Sequence, residues 1–254
     1  LGYSGSREVL PLLVEASRDP AEELRIHAVV ALGTLGVPET PVEPFERLLK
    51  DESPALRTAA LYGIRRMAAS GRDAGLAAAV HARFADDSSD VRNEAAITAG
   101  RLGLKESVPL LLAGPVKDRE PVVRQNAALA LGRIGAAAKA ATPNLIELLR
   151  DEDTRVVEGA WRALNVMHEK DFDRSYPTWR DWFEDEQRYQ YLCIEHKDVV
   201  QPGAGDCPRC GKKLDRQSRD SGRKGGDASA SADLFACPAH PEVQTASAAR
   251  CGKP

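Results

Sequence analysis

Apolar and polar positions recur along the first two thirds of the chain with a period close to 33 residues. The clearest polar marks are an aspartate at spacings of 32, 35, 32 and 33 residues and, in the first four units, an arginine six residues after it. The aspartates are Asp19, Asp51, Asp86, Asp118 and Asp151, and the arginines are Arg25, Arg57, Arg92 and Arg124. Val157 takes the arginine position in the fifth unit, as is common in a terminal repeat.

Each unit predicts two helices. In the fourth unit, Val108–Leu112 predicts the first helix and Pro121 opens the second, at a position where proline fits a helix. The second helix carries one apolar stripe with i, i+3, i+4, i+7 spacing, formed by Ala127, Ala130, Leu131 and Ile134. A small residue marks where the second helix stops in the first four units, at Gly36, Ala68, Gly103 and Gly135.

The fifth unit repeats this scheme with Pro143–Leu149 and then Val156–Met167. One helix pair cannot bury its apolar face alone, whereas stacked pairs share a continuous core. We therefore predict an all-α fold, a right-handed α-solenoid of about five helix pairs.

Three stretches resemble the short HEAT repeats of the phycobilisome-lyase-like type: Leu24–Gly33, Val91–Ala96 and Val123–Gly132. The resemblance covers residues 7 to 168 and implies a HEAT-like helical solenoid. It implies little about function, because such solenoids serve many unrelated roles.

The recurring aspartates and arginines have two interpretations. They bond between neighbouring units and set the stacking, or the arginines form a row that binds phosphate or carboxylate. We favour the structural role. As exposed ion pairs they would contribute only about 0–1 kcal/mol each.

The segment 169–190 predicts a cap on the solenoid. Trp179 and Trp182 lie at i, i+3 with Phe183 adjacent, and acidic residues surround them. Such an aromatic stripe seals the open core of the last repeat or binds a ligand, and we favour the seal. The solenoid with its cap is thus predicted to span 1–190.

All five cysteines lie in the last quarter of the chain, between Cys193 and Cys251. This clustering indicates a local metal or redox device rather than a fold held by disulfides. A first set has C-x2-H and C-x2-C spacing, and Gly211 allows the second pair to turn tightly. Its candidate ligands are Cys193, His196, Cys207 and Cys210.

Three thiolates and one imidazole suit a closed Zn²⁺ site, with copper or another soft metal as competitors. A redox Cys-x2-Cys pair or unpaired thiols are the alternatives. We predict a zinc-ribbon-like metal module over 191–214.

A second set of ligands follows a Ser- and Gly-rich segment, 215–233, that predicts a disordered linker. Within 234–254, the spacing of the first set recurs in Cys237, His240 and Cys251. Pro254 stands where the fourth ligand would fall, so this second site is incomplete.

Both sets resemble the small heavy-metal-binding domain found beside copper-transport and efflux proteins. The matches are Tyr191, Cys193, His196, Cys207, Pro208, Cys210 and Gly211 in the first copy, and Phe235, Cys237, Pro238, His240, Pro241, Glu242, Val243 and Cys251 in the second. The methionines of that pattern are replaced here by Lys212, Glu195 and Ala239. The loss of these thioethers favours structural zinc over copper traffic.

The net charge and the hydropathy of the chain exclude some classes of binding partner. The net charge of −3 and pI near 6.0 provide no basic field for nucleic acid or an anionic membrane surface. No stretch approaches the 18 apolar residues of a membrane span. The chain opens at Leu1, which indicates processing or trimming, and leaves cytoplasm and periplasm both open as its compartment.

The predicted function is a non-enzymatic scaffold that binds another protein on its concave face and carries a zinc module. The alternative is a protein that captures and transfers a soft metal through its Cys/His tail. A resemblance to deoxyhypusine hydroxylase would require several His-Glu pairs, and only His168-Glu169 qualifies. His27 and His81 are isolated on helical segments and predict packing or surface residues.

Overall fold

A computed structural model describes residues 7–68, 75–201, 205–218, 235–237 and 240–245, the last two ranges as backbone. The chain divides into two compact units, Leu1–Phe183 and Glu184–Pro254. Within the described ranges, none of the helices combines the length and the apolar character needed to cross a membrane.

Short and long helices alternate through the first unit. The short helices are α1 (Leu10–Ala16), α3 (Glu43–Leu48), α5 (Ala77–His81), α7 (Ser107–Ala113) and α9 (Thr142–Leu148). The long helices are α2 (Glu22–Leu35), α4 (Pro54–Ala68), α6 (Ser89–Leu102), α8 (Pro121–Ile134) and α10 (Thr154–His168). Short 3-10 helices connect some of them, at Arg7–Val9, Ala82–Ala85, Pro115–Lys117 and Gly135–Ala141.

The long helices pack side by side in chain order, α2 on α4, α4 on α6, α6 on α8 and α8 on α10. Each short helix packs against the long helix that follows it. The core runs continuously between the two rows and includes the fully buried Leu32, Leu61, Ala96, Leu131 and Leu164. The predicted helical solenoid is confirmed.

Glycine follows three of the long helices at positions where the sequence predicts a stop. Gly36 and Gly103 follow α2 and α6 in the left-handed conformation, with φ of 53° and 62°. Gly135 follows α8 with φ of 71°. Because a residue with a Cβ is strained at these angles, glycine here stops the helix and turns the chain toward the next unit.

The aspartates and arginines of the repeat form a ladder between units. Arg57 binds Asp86 with Nε–Oδ2 2.9 Å and Nη2–Oδ1 2.6 Å. Arg92 binds Asp118 in the same two-bonded way, at 2.6 and 2.9 Å, and Arg124 binds Asp151 at 2.8 and 2.8 Å. The structural interpretation of the ladder is therefore correct for these three rungs.

Each ladder arginine also holds its own unit together. The Nη1 of Arg92 donates to the carbonyl oxygens of Asp86 and Asp87 at 2.9 and 3.0 Å. The carboxylate of Asp118 in turn accepts a backbone hydrogen bond from Glu120 at 3.0 Å. One guanidinium thus fixes the turn before its helix and the turn of the next unit.

The prediction that these are exposed pairs is wrong. The Arg57 and Asp86 side chains are only 7% and 3% exposed, and those of Arg92 and Asp118 are 10% and 8% exposed. Repeat stacking covers them, which periodicity alone does not reveal. The first rung also differs, because within the described residues Arg25 has no carboxylate partner and its Nε is buried without a hydrogen bond.

Small residues let the long helices approach closely. A Cβ added at Gly100 of α6 would lie 2.6 Å from the Cα of Ala130 in α8. One added at Gly132 of α8 would lie 2.8 Å from the Cα of Ala163 in α10. Glycine is required at these positions because backbone, rather than a side chain that could move, occupies the space.

We expect Gly100→Ala to lower the free energy of unfolding by about 1–3 kcal/mol, because α6 and α8 must move apart to admit the methyl group. Chemical denaturation followed by circular dichroism measures the change. Gly114→Ala is the control, since the nearest atom to its added Cβ is 3.8 Å away. Equal effects of the two substitutions would contradict the close-approach argument.

Helix α11 (Tyr176–Arg188) supplies the predicted aromatic cap. Trp179 is fully buried and packs edge-on against Phe172, with ring centroids 5.0 Å apart, and against Trp182 at 5.5 Å. Its indole Nε1 donates to the carbonyl oxygen of Asp173 at 2.9 Å. This cluster joins the core that includes Leu164 and Met167 of the last repeat. Its role as a seal stays a prediction.

The second unit contains two small antiparallel sheets. Strand β1 (Tyr189–Leu192) lies between β2 (Val200–Gln201) and β3 (Asp215–Ser218), and β4 (Phe235–Cys237) pairs with β5 (His240–Thr245). The predicted linker, 215–233, therefore begins too early. Its first four residues are a strand because they complete the backbone hydrogen bonds of β1.

Candidate metal centre

The first Cys-x2-His hook lies in the turn between β1 and β2. Cys193 directly follows β1, and its backbone N–H donates to the carbonyl oxygen of Val199 at 3.2 Å. The N–H of Val199 donates to the carbonyl oxygen of His196 at 2.8 Å. These bonds reverse the chain between the two ligands.

The second hook is a separate turn closed by its own backbone bonds. The N–H of Cys207 donates to the carbonyl oxygen of Lys212, and that of Gly211 donates to the carbonyl oxygen of Cys207, both at 2.8 Å. Gly211 has φ of 70°. The left-handed conformation explains why the sequence needs glycine directly after Cys210.

The two hooks bring all four predicted ligands of the first set together. Their ligand atoms, on Cys193, His196, Cys207 and Cys210, lie within 4.8 Å of one another. The Sγ of Cys193 is 3.6 Å from the Nδ1 of His196 and 3.6 Å from the Sγ of Cys210. The Sγ of Cys207 is also 3.6 Å from that Nδ1.

These separations fit one tetrahedral ion. With bonds of about 2.3 Å to sulfur and about 2.0–2.1 Å to nitrogen, neighbouring ligands of a tetrahedral zinc lie about 3.5–3.8 Å apart. Three of the separations, at 3.6 Å, fall in this range, and all the ligand atoms lie within 4.8 Å of one another. The Cys/His cluster could therefore hold a metal ion.

Burial and hydrogen bonds tune the thiols differently. Burial raises the pKa of Cys207, but backbone N–H groups of Arg209 and Cys210, with contacts to the Cys193 and Cys210 thiols, lower it to about 6. A backbone hydrogen bond from Lys212 lowers the pKa of Cys210, but burial and the neighbouring thiols raise it overall. The backbone hydrogen bonds therefore favour the thiolate form of Cys207, whereas burial and the neighbouring thiols disfavour that of Cys210.

A small apolar shell surrounds the thiols. Cys193 and Cys207 are each only 2% exposed and pack with Leu214, which is 8% exposed, and with the partly buried Val199. This unit has little other core in its described part. The packing energy of the module is small, so a bound ion would supply much of its stability.

Ion pairs between the two hooks add to this arrangement. Lys212 of the second hook pairs with Glu195 of the first, and Arg209 pairs with Asp198 at 2.6 Å. Sequence reasoning missed these contacts. The signal was present, because each pair places opposite charges next to the ligands of different hooks.

Lys212 and Glu195 occupy two of the positions where the heavy-metal-binding pattern has methionine. The residues that replace the two thioethers are therefore bonded to each other.

The second set of predicted ligands is only partly described. Cys237 ends β4 and His240 begins β5, and the two residues are paired across this hairpin. Cys251 lies outside the described residues.

The remaining histidines are engaged in the repeats. His168 Nε2 lies 2.8 Å from the Oγ1 of Thr142, and its ring packs edge-on against Trp182. Burial, together with the charges of Lys139 and Lys170, lowers the pKa of His168 to about 4, so it is neutral near pH 7.

His81 and His27 also have local partners. His81 Nε2 lies 2.7 Å from the Oγ of Ser107, and burial lowers the pKa of this histidine. His27 is exposed, with its Nδ1 2.7 Å from the carbonyl oxygen of Glu23. His81 is thus a packing residue and His27 a surface residue, the two roles that the sequence predicts.

Comparison with known proteins identifies the repeats. A family model described as HEAT repeats matches residues 1–65, 76–165 and 109–189. A search of curated proteins gives no match.

Two solved structures with TM-scores above 0.5 share the fold at low identity. An engineered protein is 20% identical with a TM-score of 0.52, over 64% of this chain and 80% of that chain. A designed armadillo repeat protein, in complex with the peptide (KR)4, is 18% identical with a TM-score of 0.51, over 63% of this chain and 82% of that chain. Human deoxyhypusine hydroxylase is 25% identical with a TM-score of 0.42, over 66% of this chain and 65% of that chain.

Proposed function

Because the chain belongs to the HEAT-repeat family, we propose that it is a non-enzymatic scaffold that binds another protein through the exposed face of its long helices. In a stacked solenoid this row of helices lines the concave side, which is the broad binding surface of the fold. We also propose that its repeats belong to the phycobilisome-lyase-like type of HEAT repeat, which their sequences resemble.

The row of long helices carries the argument. Each of α4, α6 and α8 buries its sides against the neighbouring helices and leaves a stripe of half-buried residues, which includes Thr58, Asn93 and Gln125. Asn126 of α8 donates to Asn93 of α6 at 2.8 Å, so the polar groups are aligned across units. Aligned polar groups on rigid helices suit recognition of an extended partner.

Two further observations support a binding role without catalysis. The designed armadillo repeat protein that shares the fold is a complex with a peptide. His168, from the one His-Glu pair that the sequence offers for metal catalysis, is instead engaged by Thr142 and Trp182. His168 therefore has a packing role, although it is the histidine that a metal-dependent enzyme would need as a ligand.

We further propose that the first Cys/His set binds Zn²⁺ as a structural ion. Cys193 and Cys207 are almost fully buried, which suits a closed site rather than one that passes its metal on. The Glu195–Lys212 pair takes the place of two thioethers that would favour copper. Metal transfer remains the alternative, and elemental analysis separates zinc from copper.

Cys237, His240 and Cys251 are proposed as a second, weaker site. Three ligands leave one position for water or for a partner's ligand, so the ion would be more labile than in the first site.

We expect Thr58→Glu, Asn93→Glu and Gln125→Glu, combined in one protein, to weaken binding of whichever protein co-purifies with the chain by at least about tenfold. Like charge introduced on a complementary face repels or misaligns the partner. Surface plasmon resonance with the purified partner measures the change.

The control places glutamate at exposed positions of the short helices, Ala78→Glu and Leu110→Glu. These residues lie on α5 and α7, in the other helix row. Loss of binding by this variant alone would place the interface on the short helices and contradict the proposal.

A further inference from the structure

Three ladder arginines, Arg57, Arg92 and Arg124, are paired with carboxylates of the next unit. A second row of arginines has no such partners. Arg66, Arg101 and Arg133 lie in the last turns of α4, α6 and α8, two residues before the equivalent positions Ala68, Gly103 and Gly135. The row is confined to the three central long helices, since Thr34 and Val166 take this position in α2 and α10.

Each of these arginines follows an apolar residue by one helical turn. The apolar residues are Tyr62, Ile97 and Leu129, and Thr58, Asn93 and Gln125 lie one turn before them. Residues four apart share one face of a helix. All nine are exposed or half-buried, so α4, α6 and α8 present the same polar–apolar–arginine stripe three times, which we call the central stripe.

The arginines of the central stripe are not neutralised by carboxylates. Throughout the described residues, Arg66, Arg101 and Arg133 have no hydrogen-bonded or ion-paired side chain. The neighbouring Arg65 differs, because it is paired with Glu94 at 2.9 Å. Arg65, Arg66 and Arg101 line a cleft of about 350 Å³.

The arginines are close enough to affect one another. Burial and the positive charges of Arg101 and Arg65 lower the pKa of Arg133. Arg66, Arg101 and Arg133, which have no side-chain counter-ion among the described residues, create a local positive potential on a chain whose net charge is −3.

The attraction between a helix C-terminus and a cation does not compensate the charges of Arg66, Arg101 and Arg133. A helix C-terminus carries about half of one negative elementary charge and attracts a nearby cation. That partial charge cannot neutralise a full guanidinium charge. Net positive potential remains over the three helix ends.

We propose that the central stripe binds an extended, acidic segment of a protein partner, its carboxylates on the three arginines and its apolar side chains on Tyr62, Ile97 and Leu129. This inference rests on the proposed scaffold function and names the chemistry of its partner. Guanidinium groups pair with carboxylates through two parallel hydrogen bonds, which provides specificity as well as affinity.

The repeat geometry sets a preferred spacing in the partner. Packed helices lie about 8–10 Å apart, and an extended chain advances about 3.3 Å per residue. Successive arginines would therefore meet carboxylates at every third residue of the bound segment.

The test uses the full chain and a fluorescent, end-blocked peptide with glutamate at every third position and leucine between some of them. We expect fluorescence anisotropy to show saturable binding that weakens with added salt. A peptide with glutamine in place of glutamate should bind at least about tenfold more weakly, because each ion-paired contact is lost.

A triple variant should bind the acidic peptide on the order of a hundredfold more weakly. It combines Arg66→Gln, Arg101→Gln and Arg133→Gln. The matched control is Arg119→Gln, which removes one charge from a side chain that is 78% exposed and outside the central stripe. Circular dichroism confirms that both proteins are folded.

Equal binding of the glutamine peptide, or unchanged affinity in the triple variant, would overturn the acidic partner and leave the scaffold proposal in place. Tighter binding of a single-stranded oligonucleotide than of the peptide would also overturn it, in favour of nucleic acid. A failure of the scaffold proposal would be seen in a different experiment. There, the partner protein would lose binding to the short-helix variant and keep binding to the long-helix variant.

Discussion

Replacing Cys207 by serine is expected to remove the metal from the first Cys/His set and to unfold the module while the repeats stay intact. Metal binding to a closed zinc site supplies about 10–16 kcal/mol that is coupled to local folding. The described module has only a few buried apolar residues to replace that energy. Elemental analysis and hydrogen exchange measure the two effects, and chelation should reproduce the loss of protection at residues 191–214.

Cys251→Ser is the matched control, because it makes the same chemical change in the second set. If the second set binds metal, titration should show two classes of ion, and Cys251→Ser should remove only the labile class. Full metal content and unchanged protection after Cys207→Ser would contradict the first assignment. One ion per chain, unaffected by Cys251→Ser, would contradict the second.

Arg92→Ala is expected to lower the free energy of unfolding of the repeats by about 3–5 kcal/mol, because it leaves the buried Asp118 carboxylate without its partner. It also removes the hydrogen bonds to the carbonyl oxygens of Asp86 and Asp87. Urea denaturation followed by circular dichroism measures the change. The control is Arg162→Ala, whose ion pair with Glu158 is 63% exposed at the arginine and should contribute about 0–1 kcal/mol.

The same ladder predicts the effect of acid. Hydrogen bonds from Arg124 lower the pKa of Asp151 although burial opposes them. Burial raises the pKa of Asp118, but the hydrogen bonds from Arg92 and from the backbone N–H of Glu120, with the charges of Arg92 and Arg119, lower it overall. A carboxylate whose pKa is lower when folded stabilises the protein above its unfolded pKa of about 3.9. That stability is lost as pH falls through the lower, folded pKa. Arg92→Ala should therefore lose less stability between neutral and acid pH than the unmodified protein. If Arg92→Ala and the control Arg162→Ala lower the free energy of unfolding equally, the ladder does not stabilise the repeats as proposed.

Local signals in the chain were sufficient for the solenoid and for the first ligand set. The stop at Gly103 and the proline that opens α8 act within one helix, so their consequences follow from neighbouring residues. Cys193 and His196, like Cys207 and Cys210, are close in sequence, and each short hook constrains its own two ligands. The spacing therefore identified the residues that the fold brings together.

The boundary of the metal module did not follow from local signals. Asp215–Ser218 is polar and begins a Ser- and Gly-rich segment, which predicts a linker. It is a strand because β1 presents unpaired backbone groups that it completes. Pairing between segments distant in the chain is a tertiary effect.

The two rows of arginine show the same division most clearly. The sequence by itself determined the repeat, its helix pairs and the register of Arg57, Arg92 and Arg124, because periodic residues occupy equivalent places in a stack. Only the tertiary structure decided which charges are covered, since burial depends on the neighbouring unit. Stacking buries the ladder against aspartates and leaves Arg101 and Arg133 exposed, so arginines of similar periodicity differ in the partners they can take.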